Sequence, residues 1–196
     1  VSENFPLAGP RTLYGATKLA SELLITEYVD SFDLAIVINR CGVLTGPWQM
    51  GQVEQGVVVL WMSQHIFGGN LSYFGYGGRG MQVRDILHVQ DLVDLVSLQI
   101  RNISEHRGKT YNVGGGTKNS ISLRELTAWC EKLSGNTISI TPEKNEIPGD
   151  IPWFITDSTK VMQEANWSPQ RNLEKIMVEI YDWIVEYKDL LRPILS

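Results

Sequence analysis

The stretch Leu13-Tyr14-Gly15-Ala16-Thr17-Lys18-Leu19-Ala20-Ser21-Glu22 sets a tyrosine and a lysine four residues apart in a run free of proline. On an α-helix that spacing places both side chains on one face, about one turn apart. A phenol is a poor base at neutral pH, and a nearby ammonium favours its ionised form. Tyr14 and Lys18 are therefore candidates for exchanging a proton with a substrate hydroxyl, against the plainer reading of an aromatic ring resting on a lysine stem.

Working outward, Leu13, Ala16, Leu19, Ala20, Leu23, Leu24 and Tyr28 recur at helical spacing, so residues 11–32 read as one long helix after a loop over residues 1–10 that holds Pro6, Gly9 and Pro10. Asp33-Leu34-Ala35-Ile36-Val37-Ile38-Asn39-Arg40 then reads as a strand apolar on both faces, which is the habit of a buried parallel strand. Helix followed by parallel strand is the repeating unit of a doubly wound α/β sheet. Ligands of such sheets lie beyond the carboxyl ends of the strands, which points to residues 40–46.

Further along, a Gly-, Pro- and Gln-rich loop over residues 45–56 precedes an apolar helix over residues 57–67, closed by Gly68-Gly69-Asn70. Residues 71–76 have strand character. Gly75-Tyr76-Gly77-Gly78-Arg79-Gly80 matches G-x-G-x-x-G, but that fingerprint must open a helix. Here Met81-Gln82-Val83-Arg84-Asp85-Ile86 reads as a turn into another strand, so the glycines are expected to make a tight connection instead. Asp91 is expected to start an amphipathic helix, residues 110–113 a short strand, and Ser122 with Glu125 a capping box opening a helix to about Leu133. Residues 137–141 read as a strand and residues 142–152 as irregular. Asp157 is the expected cap of a short helix ending near Ala165, and residues 173–191 form a last amphipathic helix. The six tryptophans, Trp129, Trp167 and Trp183 among them, read as core.

With 196 residues, 43% of them hydrophobic, the chain can bury a sizeable core as one domain. Its formal charge of −5, with no basic run, argues against nucleic acid or an anionic membrane as its main partner while leaving room for a phosphorylated ligand held by one or two arginines. Two cysteines, Cys41 and Cys130, make no disulfide framework, so a reducing cytoplasm is the expected setting. Cys41 reads as a buried small hydrophobe rather than a reactive thiol. His65, His88 and His106 share no ligand spacing, and no metal site is expected. No run is long enough to span a bilayer. The chain starts at Val1 and is read as a fragment or a processed product.

Taken in order, Tyr14-Gly15-Ala16-Thr17-Lys18, Arg40 to Gly46-Pro47, Arg84-Asp85-Ile86-Leu87-His88-Val89-Gln90-Asp91, Tyr111-Asn112-Val113-Gly114-Gly115 and Asn166-Trp167-Ser168-Pro169 resemble the extended short-chain dehydrogenase/reductase family of nucleotide-sugar epimerases and dehydratases. The resemblance runs over nearly the whole chain, but only to the second half of that family's fold. It implies an α/β architecture: the C-terminal part of a Rossmann-like doubly wound sheet plus the smaller α/β substrate-binding domain. On this reading residues 1–45 hold the catalytic helix and strand, and residues 46–196 form most of the nucleotide-sugar-binding part, with interleaved boundaries.

By the same resemblance, the cofactor is NAD, Tyr14 moves the substrate's hydroxyl proton, and Lys18 assists it and binds the nicotinamide ribose. Main-chain groups from Cys41 to Val43 line the nicotinamide. Val43 stands where many members carry an asparagine on the substrate's diphosphate, so the resemblance does not carry that contact over. Arg84 aligns with an arginine that grips the diphosphate, a task suited to a permanently charged fork, and Asp85 is expected to hold that fork in place; the plainer reading is a structural Arg-Asp pair. The family's Ser or Thr upstream of the tyrosine and its glycine fingerprint are expected to be missing, with Ser2 too close to substitute. The 196-residue chain alone is therefore expected to show little NAD-dependent turnover.

The run Gly46-Pro47-Trp48-Gln49 through Gln55-Gly56, with Trp61, looks most like the CDP-paratose 2-epimerase (CDP-tyvelose epimerase) group of that family. Gln49 and Gln55 then become candidates to bond sugar hydroxyls, or are loop amides facing water. The implied reaction is epimerisation of a CDP-sugar by transient oxidation at a sugar carbon. Two alternatives stay open: a nucleotide-sugar 4,6-dehydratase, and a non-catalytic nucleotide-sugar-binding module. Members commonly dimerise through the tyrosine-bearing helix, which implies a homo-oligomer and exposed apolar residues such as Leu13 and Leu24 wherever the neighbouring helix is missing.

Overall fold

A computed structural model describes residues 1–8, 12–52, 55–143 and 150–196. Helix α1 covers Leu13–Phe32, with Thr12 as its cap accepting from the Gly15 amide at 3.1 Å; Arg11, where the sequence reading began the helix, lies outside the described residues, as do Gly9 and Pro10 of the preceding loop. The chain then runs through β1 (Ile38–Cys41), β2 (Val43–Thr45), α2 (Val57–Phe67), β3 (Leu71–Phe74), a 3₁₀ turn at Tyr76–Gly78, β4 (Val83–His88), α3 (Val89–Arg101) and α4 (Ile103–His106). Next come β5 (Thr110–Val113), β6 (Ser120–Ser122), α5 (Leu123–Ser134), β7 (Ile140–Glu143), β8 (Trp153–Phe154), α6 (Thr159–Glu164), α7 (Leu173–Glu186) and α8 (Lys188–Leu195).

The strands pair mostly in parallel, as a doubly wound fold requires: β1 with β5, β2 with β4, β3 with β7 and β8 with β4. Among the described strands, only β6 runs antiparallel, to β4. Gly42 is the switch between the first two pairs, its amide bonding Val113 O at 2.9 Å just before β2 takes up its register with β4. A side chain there would not fit, because a Cβ would lie 2.8 Å from Thr156 Oγ1. The G-x-G-x-x-G run sits between β3 and β4 and opens no helix, as its strand-like surroundings imply.

Two apolar clusters hold the fold. Val58, Met62, Leu126, Ile176, Ile180 and Ile184 pack α2 against α5 and α7, while Leu87, Leu95, Tyr111, Val113 and Val161 join β4 and β5 to α3 and α6. The capping box of α5 is formed, with Glu125 Oε2 accepting from the Ser122 amide at 2.8 Å. Helix α2 ends where expected, at a left-handed Gly68 whose amide bonds Gln64 O.

Several boundaries differ from the sequence reading for identifiable reasons. The apolar run 33–40 becomes a strand only from Ile38, because its partner β5 is four residues long and the ladder starts at Ile38↔Thr110. Helix α3 starts at Val89 rather than Asp91, since the His88 imidazole takes the capping role with Gln90 N at 3.0 Å. The strand expected over residues 137–141 is displaced to Ile140–Glu143 by its pairing with β3; residues 144–149 of the stretch read as irregular lie outside the described residues. Ser158, not Asp157, caps α6, although Asp157 Oδ1 still accepts from the Thr159 amide at 3.0 Å. The last helix is two helices, broken at Tyr187. Trp61, Trp167 and Trp183 are core, but Trp48 and Trp153 are exposed.

Helix α1 has no buried residue; Leu13, Leu23, Leu24, Tyr28 and Phe32 face outward. Ion pairs fasten it: Arg107 meets Asp33, the residue that caps its C-terminus, and Arg40 of β1 meets Glu22 with Nε at 2.9 Å from Oε1 and Nη2 at 2.6 Å from Oε2. Such a two-point fork fixes orientation as well as distance. No helix among the described residues is long and apolar enough to cross a membrane.

Candidate functional site

A cavity of about 850 Å³ opens between α2, β3, β4 and the end of α8. Val58 and Trp61 from α2, Leu71 and Phe74 from β3, Ile86 from β4, Leu126 from α5 and Leu195 from α8 make its walls largely apolar. Among its described lining residues the charged ones are Arg84 and Asp150. An apolar cleft of this size with a few convergent polar groups is the usual form of a small-molecule site.

Arg84 is placed there by the register of β4. Its Nη1 donates to Val83 O at 2.8 Å and its Nη2 to Asp150 Oδ1 at 2.5 Å, while Asp150 Oδ1 also accepts from the Ile151 amide at 2.9 Å. Two of the guanidinium's five donors are thereby committed, and the rest can meet an anion. Asp150 was not foreseen from the sequence: it lies 66 positions from Arg84, and no local pattern announces it.

Asp85 does not hold Arg84, contrary to expectation. It is buried on the other face of β4, where its carboxylate accepts from the Thr156 amide at 2.9 Å, the Thr156 hydroxyl at 3.0 Å and the Gly116 amide at 3.1 Å. The alternation of side chains along a strand makes this unavoidable, since neighbours must point to opposite faces. Gly114 supplies the clearance; a Cβ there would lie 2.3 Å from Asp85 Oδ2.

Tyr14 and Lys18 are together on α1, the Lys18 ammonium 5.3 Å from the centre of the Tyr14 ring. Tyr14 is 64% exposed, and neither residue lines the large cavity. A smaller cavity of about 260 Å³ is lined by Ser2, Phe5, Arg40, Cys41, Gly42, Asn112 and Thr156. Cys41 thus borders the small cavity and Val43 the large one. Cys41 is exposed rather than buried as expected, with its Sγ 3.6 Å from Asn39 O.

Gln49 turns its amide inward: Oε1 accepts from Thr45 Oγ1 at 3.1 Å and Nε2 donates to Leu44 O at 3.1 Å. Gln55 is exposed and pairs through its backbone with Gln52; residues 53 and 54 between them lie outside the described residues. Of the three glutamines, Gln52 lines the large cavity.

The histidines serve packing. His65 Nδ1 lies 2.7 Å from Trp61 O, and His106 Nδ1 lies 2.9 Å from the Tyr111 hydroxyl. His88 caps α3 through Nδ1, and its Nε2 is 3.0 Å from Glu179 Oε2 without hydrogen-bond alignment. Burial holds the His88 imidazole below its ordinary value of 6.5, and Arg171 and Lys175 push the same way against the opposing Glu179 and Asp91. A histidine neutral in the folded chain but protonated in the unfolded one stabilises fully above about pH 6.5 and loses that contribution as pH falls below it. Thermal unfolding is therefore expected to show a lower midpoint at about pH 5 than at pH 7, and His88→Asn, which retains a capping side chain, is expected to narrow that difference.

The model of the NAD dependent epimerase/dehydratase family matches residues 1–114. CDP-paratose 2-epimerase of Salmonella typhi is 32% identical over 176 residues, 87% of this chain and 51% of that protein. A dTDP-glucose 4,6-dehydratase of Streptomyces antibioticus is 28% identical over 95% of this chain and 52% of its own length. Among solved structures, UDP-glucuronic acid 4-epimerase from Bacillus cereus, in complex with UDP-glucuronic acid and NAD, aligns with a TM-score of 0.82 at 26% identity, over 95% of this chain and 56% of that one. The chain spans about half the length of the curated relatives it matches.

Proposed function

The chain belongs to the NAD dependent epimerase/dehydratase family, and from that premise we propose that it carries the nucleotide-sugar-binding part and the proton-transfer helix of an enzyme that epimerises a nucleotide sugar. A CDP-sugar is the first candidate, because the relative named for a CDP-linked substrate is more similar to this chain than the dehydratase. The observation that carries the reading is the large apolar cavity holding a guanidinium, Arg84, among its lining residues. Its walls suit a base and a sugar, and the cation suits the diphosphate between them.

Of an NAD site, the residue types suit the nicotinamide-ribose end, with Tyr14 and Lys18 together on α1 and the Cys41–Val43 backbone at the carboxyl end of β1, although neither Tyr14 nor Lys18 lines the small cavity that Cys41 borders. The chain's one G-x-G-x-x-G run leads into β4 and does not fit a pyrophosphate. NAD, when bound, supplies acceptance and return of a hydride at the sugar carbon. Tyr14 would take the proton of the sugar hydroxyl and later return it, Lys18 would hold the ribose, and Arg84 would fix the diphosphate. Gln49 shapes the loop over residues 45–52 rather than facing the cavity. The outward apolar residues of α1 support assembly with a second copy.

Calorimetric titration of the chain with CDP, UDP and dTDP tests the reading. CDP is expected to bind most tightly, and Arg84→Glu is expected to weaken binding by at least about 100-fold, because it replaces attraction to the diphosphate by repulsion. The unfolding midpoint should change by only a few degrees, since Arg84 is partly exposed. Unaltered affinity in the variant would remove Arg84 from the site. Product analysis with a sugar substrate separates an epimer from the dehydrated keto-sugar of the dehydratase reaction.

A further inference from the structure

Trp48 has a backbone φ of +69°. A bulky residue in that left-handed region is an outlier that persists only where its surroundings over-determine it. Trp48 stands third in the turn Gly46-Pro47-Trp48-Gln49, closed by the Gln49 amide on Gly46 O at 3.3 Å, and a positive φ at that place favours Gly or Asn. What holds a tryptophan there is a pair of rings: its centroid lies 5.6 Å from Trp183 and 5.0 Å from Tyr187. Trp183 belongs to α7, and Tyr187 is the residue at which α7 stops and α8 begins.

Both sides of this contact lead to the large cavity. Three and four residues after Trp48, Gly51 and Gln52 line one part of the wall, and Ile194 and Leu195 at the end of α8 line another. Gly51 is packed onto α2 so closely that a Cβ would lie 2.5 Å from the Leu60 amide nitrogen. Gln64 Nε2 of α2 donates to Leu195 O at 3.0 Å, which closes the circuit from the loop through α2 to α8. Trp48 itself is outside the cavity and 56% exposed.

We propose that Trp48 is a positioning residue of the nucleotide-binding cavity, an aromatic clasp that fixes the separation between the loop over residues 46–52 and helix α8. The inference rests on the reading that this cavity takes a nucleoside diphosphate. A clasp of this kind acts by preorganisation: a wall held in place before the ligand arrives need not be ordered by it, and affinity rises accordingly. The cost of keeping a tryptophan in a left-handed turn is then explained by what its ring holds together.

Three proteins test this: the unaltered chain, Trp48→Gly and Trp48→Tyr, each titrated with CDP and followed by hydrogen exchange. Glycine relieves the backbone while removing the ring, so the unfolding midpoint should change little, yet the CDP dissociation constant should rise about tenfold. Amides at residues 49–52, 188–192 and 194–195 should exchange faster in Trp48→Gly and recover protection with CDP, whereas in the unaltered chain CDP should change them little. Trp48→Tyr keeps an aromatic ring and should bind within about twofold of the unaltered chain. Equal CDP affinity in Trp48→Gly and the unaltered chain would overturn the clasp, as would a weakening explained by a lowered midpoint alone. Failure of the unaltered chain to bind CDP, UDP or dTDP would instead strike the functional reading beneath it, and the clasp with it.

Discussion

Asp85→Ala is expected to lower stability by roughly 3–5 kcal/mol, which for a chain of this size is a fall of about 10 °C or more in the unfolding midpoint. The magnitude follows from what the carboxylate does. It is 1% exposed and accepts three hydrogen bonds, two of them from backbone amides, so it ties the loop after β5 and the loop before α6 to the middle of β4. Hydrogen bonds to a charged acceptor contribute more than neutral ones, and removing the acceptor leaves the Thr156 and Gly116 amides without it in a place water does not freely reach. Asp85→Asn should fall between the two, since one of its two acceptor oxygens becomes a donor facing donors. Nucleotide affinity, measured where the variant is still folded, should hold up far better than in Arg84→Glu. Were Asp85 instead the group that holds the Arg84 fork, the pattern would invert, with affinity lost and the midpoint spared.

That contrast shows which parts of this molecule the sequence disclosed. The α5 cap was legible because its whole cause lies within four consecutive residues, Ser122 to Glu125. Helix α2 was legible because an apolar run sits between two glycines, Gly56 and Gly68, that adopt left-handed backbone. The glycine-rich run after β3 could be rejected as a dinucleotide fingerprint because the residues following it have strand character, and β4 follows. Asp150 was hidden because its meaning depends on Arg84, brought near only by the fold. The break at Tyr187 was hidden for a related reason: Leu190 and Leu191 continue the apolar pattern, and the ring contact with Trp48 comes from a loop more than a hundred residues earlier. Helical spacing on α1 marked the helix but not one apolar face: no residue of α1 is buried, and Leu13, Tyr14, Leu23, Leu24, Tyr28 and Phe32 are exposed. The family motifs around Tyr14, Arg84 and Gly114 carried the fold because each reflects a local demand: a helix face, a strand end, a close backbone approach.

Tyr14→Phe is expected to cut turnover by about 10²–10⁴-fold, the range typical of losing a positioned proton-transfer group. The assay uses residues 1–196 joined to a dinucleotide-binding segment with a helix-opening glycine loop. The structure makes this an unusually clean substitution. Tyr14 is 64% exposed, and its backbone carbonyl accepts from the Thr17 hydroxyl at 2.8 Å. Removing the phenolic oxygen should therefore leave the unfolding midpoint and the CDP affinity of the cavity unchanged, so that kcat falls while KM stays within about twofold. Lys18→Met should behave differently. Its ammonium lies over the Tyr14 ring at 5.3 Å, and its loss should weaken NAD binding as well as turnover. If Tyr14→Phe and Lys18→Met both retained full activity, the pair on α1 would be a ring resting on an aliphatic stem, and proton transfer would have to be sought elsewhere in the protein.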